Sequence, residues 1–327
     1  MNKKALALFV LATFLFSGSA LARKPLPRFE ANISGGYLDG DTTYEIGGRV
    51  SYPGGTDQIP FPISRLEFPF ELGVAVAEGV YRPCDNWRLS VSGMKNFTDT
   101  GEDMKDSDWL YGNYGDPTLK DIYSHSQADA DLYAIDAKLR YVFATAEERN
   151  IEFGYTGDEP DVRYTFFAGL GFRYENYHYD VHDVLEWYPN TPWIDPNRVS
   201  GPALKYDLDF MIPLGEIGCE FWWSEKLRVE LSTTFSIFVH GSDKDQHLLR
   251  NRVSSFSSGW NGKYLAGTVR AQYSFCTSWF ADLAVTGSRI NADGLSHAND
   301  PNIGPFIIEE KVENVQALFT AGLGYRF

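Results

Sequence analysis

Val315, Ala317, Phe319, Ala321, Leu323, Tyr325 and Phe327 occupy every second position of the final stretch, and the chain stops on that Phe. Unbroken period-two alternation marks a β-strand with two unlike faces. Nine earlier segments repeat the pattern. The first is carried by Phe29, Ala31, Ile33 and Tyr37, and the second by Leu66, Phe68, Phe70, Leu72, Val74 and Val76, with Arg65, Glu67 and Glu71 opposite. Trp87, Leu89 and Val91 mark the third, Tyr133 to Phe143 the fourth, and Val162 to Phe172 the fifth. Tyr206, Leu208, Phe210 and Ile212 begin the sixth, where Pro213 and Gly215 predict a bulge. Leu227 to Val239, Leu265 to Tyr273 and Trp279 to Val285 complete the set. Ten such segments of roughly ten residues predict an all-β chain.

Alternation alone does not say what lies outside the sheet, because a soluble sandwich produces the same pattern. The two ends of the chain choose between them. Lys3 and Lys4, the apolar stretch Ala5 to Phe16 and the small-x-small site Ala20-Leu21-Ala22 predict a signal peptide over residues 1–22. That apolar stretch is too short to span a bilayer as a helix, and no later stretch approaches the required length. A last strand ending in Tyr-x-Phe resembles the C-terminal signal of outer-membrane barrels. The expectation is therefore one domain, residues 23–327, folded as a ten-stranded antiparallel transmembrane β-barrel in a Gram-negative outer membrane. Apolar faces are expected to meet lipid and polar faces the lumen, with Lys138, Arg140, Lys205, Asp207 and Asp209 as lumen examples. Trp223 and Trp279 read as interface residues.

Connection lengths orient the barrel. Residues 38–63, 98–130, 178–202, 241–260 and 289–312 read as long polar extracellular loops, and 79–86, 221–226 and 275–278 as short periplasmic turns, with 144–161 the exception. Ten strands leave too narrow a lumen for a porin channel, so function is expected at the extracellular rim. Without Lys3 and Lys4 the basic count falls from 29 to 27 against 44 acids, a net charge of −17. Such a surface favours cationic partners and argues against nucleic acid. Cys84, Cys219 and Cys276 fall near the short turns, where one disulfide or three small buried side chains are the options, and their spacing fits no zinc site.

Two acidic clusters lie on the expected outer side. One is Met104-Lys105-Asp106-Ser107-Asp108-Trp109, the other Ser242-Asp243-Lys244-Asp245-Gln246-His247. Together they could activate a water: neutral His247 takes its proton and Asp245 orients the ring. Asp106 and Asp108, like charges two residues apart, would share a raised pKa that leaves one able to donate. Solvated loops or a carboxylate calcium site would show the same residues. A non-enzymatic adhesin binding cationic partners and a lipase using Ser124 beside His125 are the other readings. Neither a phosphate-binding glycine loop nor a G-x-S-x-G elbow occurs. His178 and His182 read as solvated loop residues.

Asp-x-Asp-Trp after the third strand and Asp-x-Asp-x-His after the seventh resemble the two signatures of the omptin outer-membrane proteases. Ser64-x-Leu66, Gly201…Tyr206…Phe210…Pro213 and Thr320-Ala321-Gly322-Leu323…Tyr325-Arg326-Phe327 agree with that family. The resemblance implies an endopeptidase without metal or organic cofactor that cuts next to basic residues. Asp106 and His247 would hold the water, Asp245 would orient His247, and Asp108 would assist at the scissile carbonyl. Asp243 would line the pocket for a substrate Arg or Lys, and Asp121, of the pair Asp121 and His125, a neighbouring subsite. Tyr44 stands where the family has a substrate-binding glutamate, which makes Glu45, one residue away, the substitute candidate. Tyr123 and Gln246 also depart from the family pattern. Its lipopolysaccharide-binding Tyr-x-Glu-x-Arg reads Phe172-Arg173-Tyr174-Glu175-Asn176 here, which leaves open whether activity requires lipopolysaccharide. One geometric demand remains. Asp243, Asp245 and His247 share odd parity with Ile237 and Val239, so a bulge near Gly241 is needed to turn them inward.

Overall fold

The computed structural model describes residues 27–99, 103–109, 120–148, 162–223, 226–301 and 304–327. The signal peptide assigned to 1–22 and parts of the 98–130 and 144–161 connections lie outside them. The chain forms β1 (Phe29–Tyr52), β2 (Gly55–Gln58), β3 (Ser64–Cys84), β4 (Trp87–Asn96), β5 (Asp103–Asp108), β6 (Ile122–Glu148) and β7 (Val162–Trp187). It continues through β8 (Asn197–Trp223), β9 (Leu227–His247), β10 (Arg252–Ser257), β11 (Gly262–Ser274), β12 (Trp279–Asp300) and β13 (Gly304–Arg326). Every described pairing is antiparallel, and the first and last strands pair from Glu30↔Arg326 upward, closing the sheet. Between β3 and β6 the lower position is filled by β4 and the upper by β5; β11 and β10 share the place between β9 and β12 in the same way. The short β2 folds back on β1. The result is a ring of ten positions, as the alternation predicts. Closure satisfies the backbone without edges, which lipid demands.

The strands are far longer than a bilayer needs. About 10 residues cross it, whereas β6 and β8 each run for 27. Most of the expected loops are therefore strand: the barrel continues above the membrane, and His178 and His182 sit on β7, not in a loop. The turns at 85–86 and 275–278 are short and define the opposite end. Cys84 and Cys276 are exposed there and Cys219 is partly exposed; all three are free thiols, not buried hydrophobes.

A belt of outward apolar residues surrounds the lower half, including Ile33, Leu139, Leu170, Leu283 and Phe319. Trp87, Trp223, Trp279 and Phe327 border it at the short-turn end. Inside the belt the lumen is ionic. Arg82 and Arg326 both hold Glu30 at 2.9 Å, Arg140 holds Glu216 at 2.6 Å, and Arg228 holds Glu230 at 3.0 Å. Arg88 and Arg228 both bind Glu220. A cavity of about 20 Å³ among Glu30, Arg82, Arg88, Arg140 and Arg270 has room for about one water. Each buried charge has its opposite, which is the condition for keeping charges out of water.

Above the belt the faces exchange chemistry. Leu66, Phe68, Phe70, Leu72 and Val74 point into the lumen, together with Tyr177, Tyr179, Tyr206, Leu208, Phe210 and Ile212. Phe68 stacks on Tyr206 with centroids 5.1 Å apart. Lys205, Asp207 and Asp209 face outward, contrary to the lumen placement expected for them, and His178 lies against Asp207 and Asp180 on that outer surface. The reason is the medium: above the lipid the outer face meets water, so charges leave the lumen and apolar side chains fill it. The sixth segment keeps one inward face from Tyr206 to Trp222. The irregularity expected at Pro213 and Gly215 is present in its pairing with β9, where the register shifts between Met211 and Gly215, but the extra residue is on β9.

The irregularity lies on β9. Even-numbered residues from Arg228 to Ser236 face in, Ile237 and Phe238 are both exposed (64% and 58%), and Val239 is fully buried. Gly262 pairs with Val239 and Tyr264 with Ser236, so β9 carries one extra residue there. The bulge sits at Ile237–Phe238, not near Gly241, and Val239 faces the lumen, not lipid. Odd-numbered residues face in from there on. Cysteine scanning in a variant with the native cysteines changed to serine should report this directly. Cysteines at 237 and 238 should both react with a lipid-soluble maleimide while those at 236 and 239 stay protected. Strict alternation, with 237 and 239 labelled and 238 protected, would remove the bulge from the account.

Candidate active site

Register brings the two acidic clusters to one mouth. On β5, Asp106 lies opposite Leu66 of β3 and Ser124 of β6, and Asp108 opposite Ser64 and Ile122. Period two aims Met104, Asp106 and Asp108 inward, and buried Trp109 follows under the Arg65 guanidinium, 6.0 Å from its ring centre. On β9 the bulge places Val239, Gly241, Asp243 and Asp245 on the same lumen face, ending at His247. Asp245 is fully buried. Its Oδ2 lies 2.9 Å from His247 Nε2, although the ring does not aim a straight N–H at that oxygen. Arg252 Nη2 approaches the same nitrogen at 3.5 Å.

These groups stand above the apolar belt, outside the membrane-spanning segments, and charge links them across the mouth. Burial first, then the Asp108 charge, pushes Asp106 well above the ordinary carboxylate range; Asp245 and Glu186 add to this while Arg250 opposes it. Asp108 is also raised by burial, against a Ser64 hydrogen bond and the charges of Arg250, His247 and Arg252. Asp106 and Asp108 are near enough to titrate as a pair. Asp106 keeps one oxygen hidden and without a donor.

Asp243 occupies a separate corner. Tyr206 donates to its Oδ2 at 2.8 Å, and Tyr206 in turn meets Tyr44 edge-on with centroids 5.7 Å apart. Burial is the main cause that pushes Asp243 up to about 6, with Asp245 adding to it and hydrogen bonds with Glu310, Tyr206 and the Phe256 backbone opposing it. Across from Asp243 lies Glu310 of β13, fully enclosed and itself raised, first by burial and then by Asp243. No sequence signature pointed to Glu310, Arg250 or Arg252. The pairing of Glu310 with Gly294 and Ile46 needed the closed ring.

Two candidates stand apart from this lumen cluster. Asp121 flanks Asp108, its backbone N–H bonded to the Asp108 carbonyl at 2.9 Å, and its side chain accepts from Asn190 at 3.0 Å. Glu45 accepts from Arg65 at 2.7 Å beside Glu67, Lys311 and Glu313, away from Asp243. The inward position next to it belongs to Tyr44.

A closed antiparallel barrel with an apolar belt, an ionic lower lumen and strands rising above the lipid is the build of an outer-membrane β-barrel protein. Within that class, the chain belongs to the omptin family, whose sequence model matches residues 29–327. Membership carries the coarse assignment of an outer-membrane protease. The barrel superposes on the crystal structure of the outer membrane protease OmpT from Escherichia coli with a TM-score of 0.73 at 18% identity, covering 94% of this chain and 99% of that one. The outer membrane protein OprG from Pseudomonas aeruginosa matches at a TM-score of 0.37 and 12% identity, over 93% of this chain and 98% of that one. No curated protein matches the chain significantly.

The raised acids have a thermodynamic consequence. A carboxylate whose pKa is higher folded than unfolded binds more protons in the native state, so stability falls as pH rises. Moving Asp243 from 3.8 to about 6 corresponds to roughly 3 kcal/mol at full ionisation. Asp243→Asn should therefore raise unfolding stability by about 1–3 kcal/mol at pH 7.5 and by little at pH 4. Urea unfolding in detergent at the two pH values measures it. A variant destabilised equally at both would show that Asp243 is not strained in the native state.

Proposed function

We propose that the mouth is the active site of a metal-independent endopeptidase, facing the cell exterior, that cuts peptides next to basic residues. The observation that supports this best is the Asp245–His247 pair, 2.9 Å apart on the lumen side of β9, within electrostatic reach of Asp106 and Asp108. With Nε2 turned to Asp245, Nδ1 of His247 is the nitrogen left to take a proton from water. Asp106 would hold the other side of that water. Asp245 keeps the ring oriented and offsets the imidazolium charge as it forms. Of the Asp106–Asp108 pair, one member retains a proton and can donate to the oxyanion growing on the scissile carbonyl, the step Asp108 would assist.

Asp243, with Tyr206 bonded to it, would receive a substrate guanidinium or ammonium, and Asp121 would contribute to an adjoining subsite. A desolvated cation needs a charged partner, and the acidic surface attracts such peptides from a distance. The outward residues Phe172, Tyr174 and Asn176 depart from the family's lipopolysaccharide-binding pattern, so dependence on lipopolysaccharide is a question for the assay.

The test is cleavage of a fluorogenic Arg-Arg peptide by the refolded barrel, with and without lipopolysaccharide and with a chelator. His247→Ala should lower kcat by at least about 100-fold, and Asp106→Asn comparably, with no effect of the chelator. A wild type no faster than His247→Ala under every condition would end the enzyme reading. Retained binding of a basic peptide by Asp106→Asn without turnover by the wild type would instead favour an adhesin.

A further inference from the structure

The buried acids of this barrel fall into two populations. In the lower lumen Glu30, Glu216, Glu220, Glu230 and Asp282 each touch an arginine. At the mouth, Asp243 and Glu310 do not: among the described residues neither has an ion pair with Lys or Arg. Both Glu310 oxygens and Asp243 Oδ1 are hidden from water, and the two carboxyl groups lie within hydrogen-bond reach of each other. Ser254 Oγ on β10, almost fully buried on the same lumen side, is without a partner, and buried Ser296 of β12 stands beside Glu310.

A carboxylate pair in a dry site is costly to hold, and among the described residues no lysine or arginine ion pair offsets this one. The surrounding groups are Tyr206 of β8, which donates to Asp243, Tyr44 of β1, Asp245 of β9 and Ser296 of β12; Arg252 of β10 acts on Tyr44. The walls are aromatic and polar, and the missing component is a cation with several donors.

We propose that Glu310 and Asp243 together form the subsite for the cationic side chain of a substrate, with Glu310 supplying from β13 the second carboxylate that Tyr44 cannot supply from β1. This rests on the peptidase reading above and adds to it a specificity-determining residue. A guanidinium fork spans two carboxylates where an ammonium meets one at a time, so the pair favours arginine over lysine. Entry of the cation displaces the proton the two acids share in the empty site. Cation affinity and deprotonation are linked, each favouring the other.

Benzamidine serves as a probe that requires no turnover. Calorimetric titration of the refolded full-length barrel should show binding at pH 7.5 that weakens at least about tenfold at pH 5, on the protonated side of the Asp243 value of about 6. Glu310→Gln should weaken binding at pH 7.5 on the order of tenfold to a hundredfold, the loss of one charged hydrogen bond, and flatten the pH dependence. Glu310→Asp should restore part of it. Glu309→Gln, on the outward neighbour that pairs with Arg49, should bind as the wild type does. Toward an arginine peptide Glu310→Gln should raise KM, whereas His247→Ala lowers kcat. Folding of each variant is read from its heat-modifiable gel mobility, and Asp243→Asn repeats the test if Glu310→Gln does not fold. Benzamidine bound equally by the wild type and the variant, or by neither, would overturn the inference. Benzamidine binding that needs Glu310, in a protein that cleaves nothing, would uphold the subsite while removing the peptidase reading.

Discussion

A side chain on a closed antiparallel barrel has only two destinations, the lumen or the surroundings, and its place along the strand decides which. Closure is obligatory in lipid because every backbone N–H and C=O must find a partner in the next strand. The geometry stays constant from the short turns to the mouth, but the surrounding medium changes from hydrocarbon to water. On the inner face of β8 the residues therefore run from Glu216 and Glu220, enclosed by lipid-facing neighbours, to Tyr206, Leu208, Phe210 and Ile212 above them. One strand, with one parity, serves two opposite polarity patterns.

The same rule governs where charge is tolerated. In the lower lumen, Arg88, Arg140, Arg228 and Arg270 neutralise the acids around them, and the interior is filled instead of open. The mouth keeps Asp106, Asp108, Asp243 and Glu310 on aromatic walls without a lysine or arginine ion pair among the described residues. Unpaired buried carboxylates cost stability and persist only where the surrounding ladders over-determine their positions. Here β5 is held between β3 and β6, and β9 between β8 and β10, so the strain is borne by backbone pairing. Raised carboxylates held on rigid strands are a pattern that clusters at functional sites.

Much of this was legible from residues alone. Ten alternating segments announced the ring, and the Asp106/Asp108 and Asp245/His247 spacings identified groups that the structure brings into electrostatic contact. What failed was the direction of each face. Leu66 to Val74 alternate as cleanly as Tyr133 to Phe143, yet one set points inward and the other toward lipid, because periodicity carries no information about the medium. Glu45 was read as a substitute for Tyr44 by proximity in the chain. Adjacent strand residues face opposite ways, so the second carboxylate beside Asp243 came from Glu310 on another strand.

By itself, then, the sequence determined the number of ring positions, the antiparallel sheet and the acidic groups available for chemistry, since each is a local property of spacing and residue type. The tertiary structure alone decided which of those groups meet. It set the extra residue at Ile237–Phe238 and the register by which β13 closes against β1, carrying Glu310 to Asp243. Both depend on ladders between strands remote along the chain, where the extra residue is tolerated only if both neighbouring strands resume their pairing beyond it.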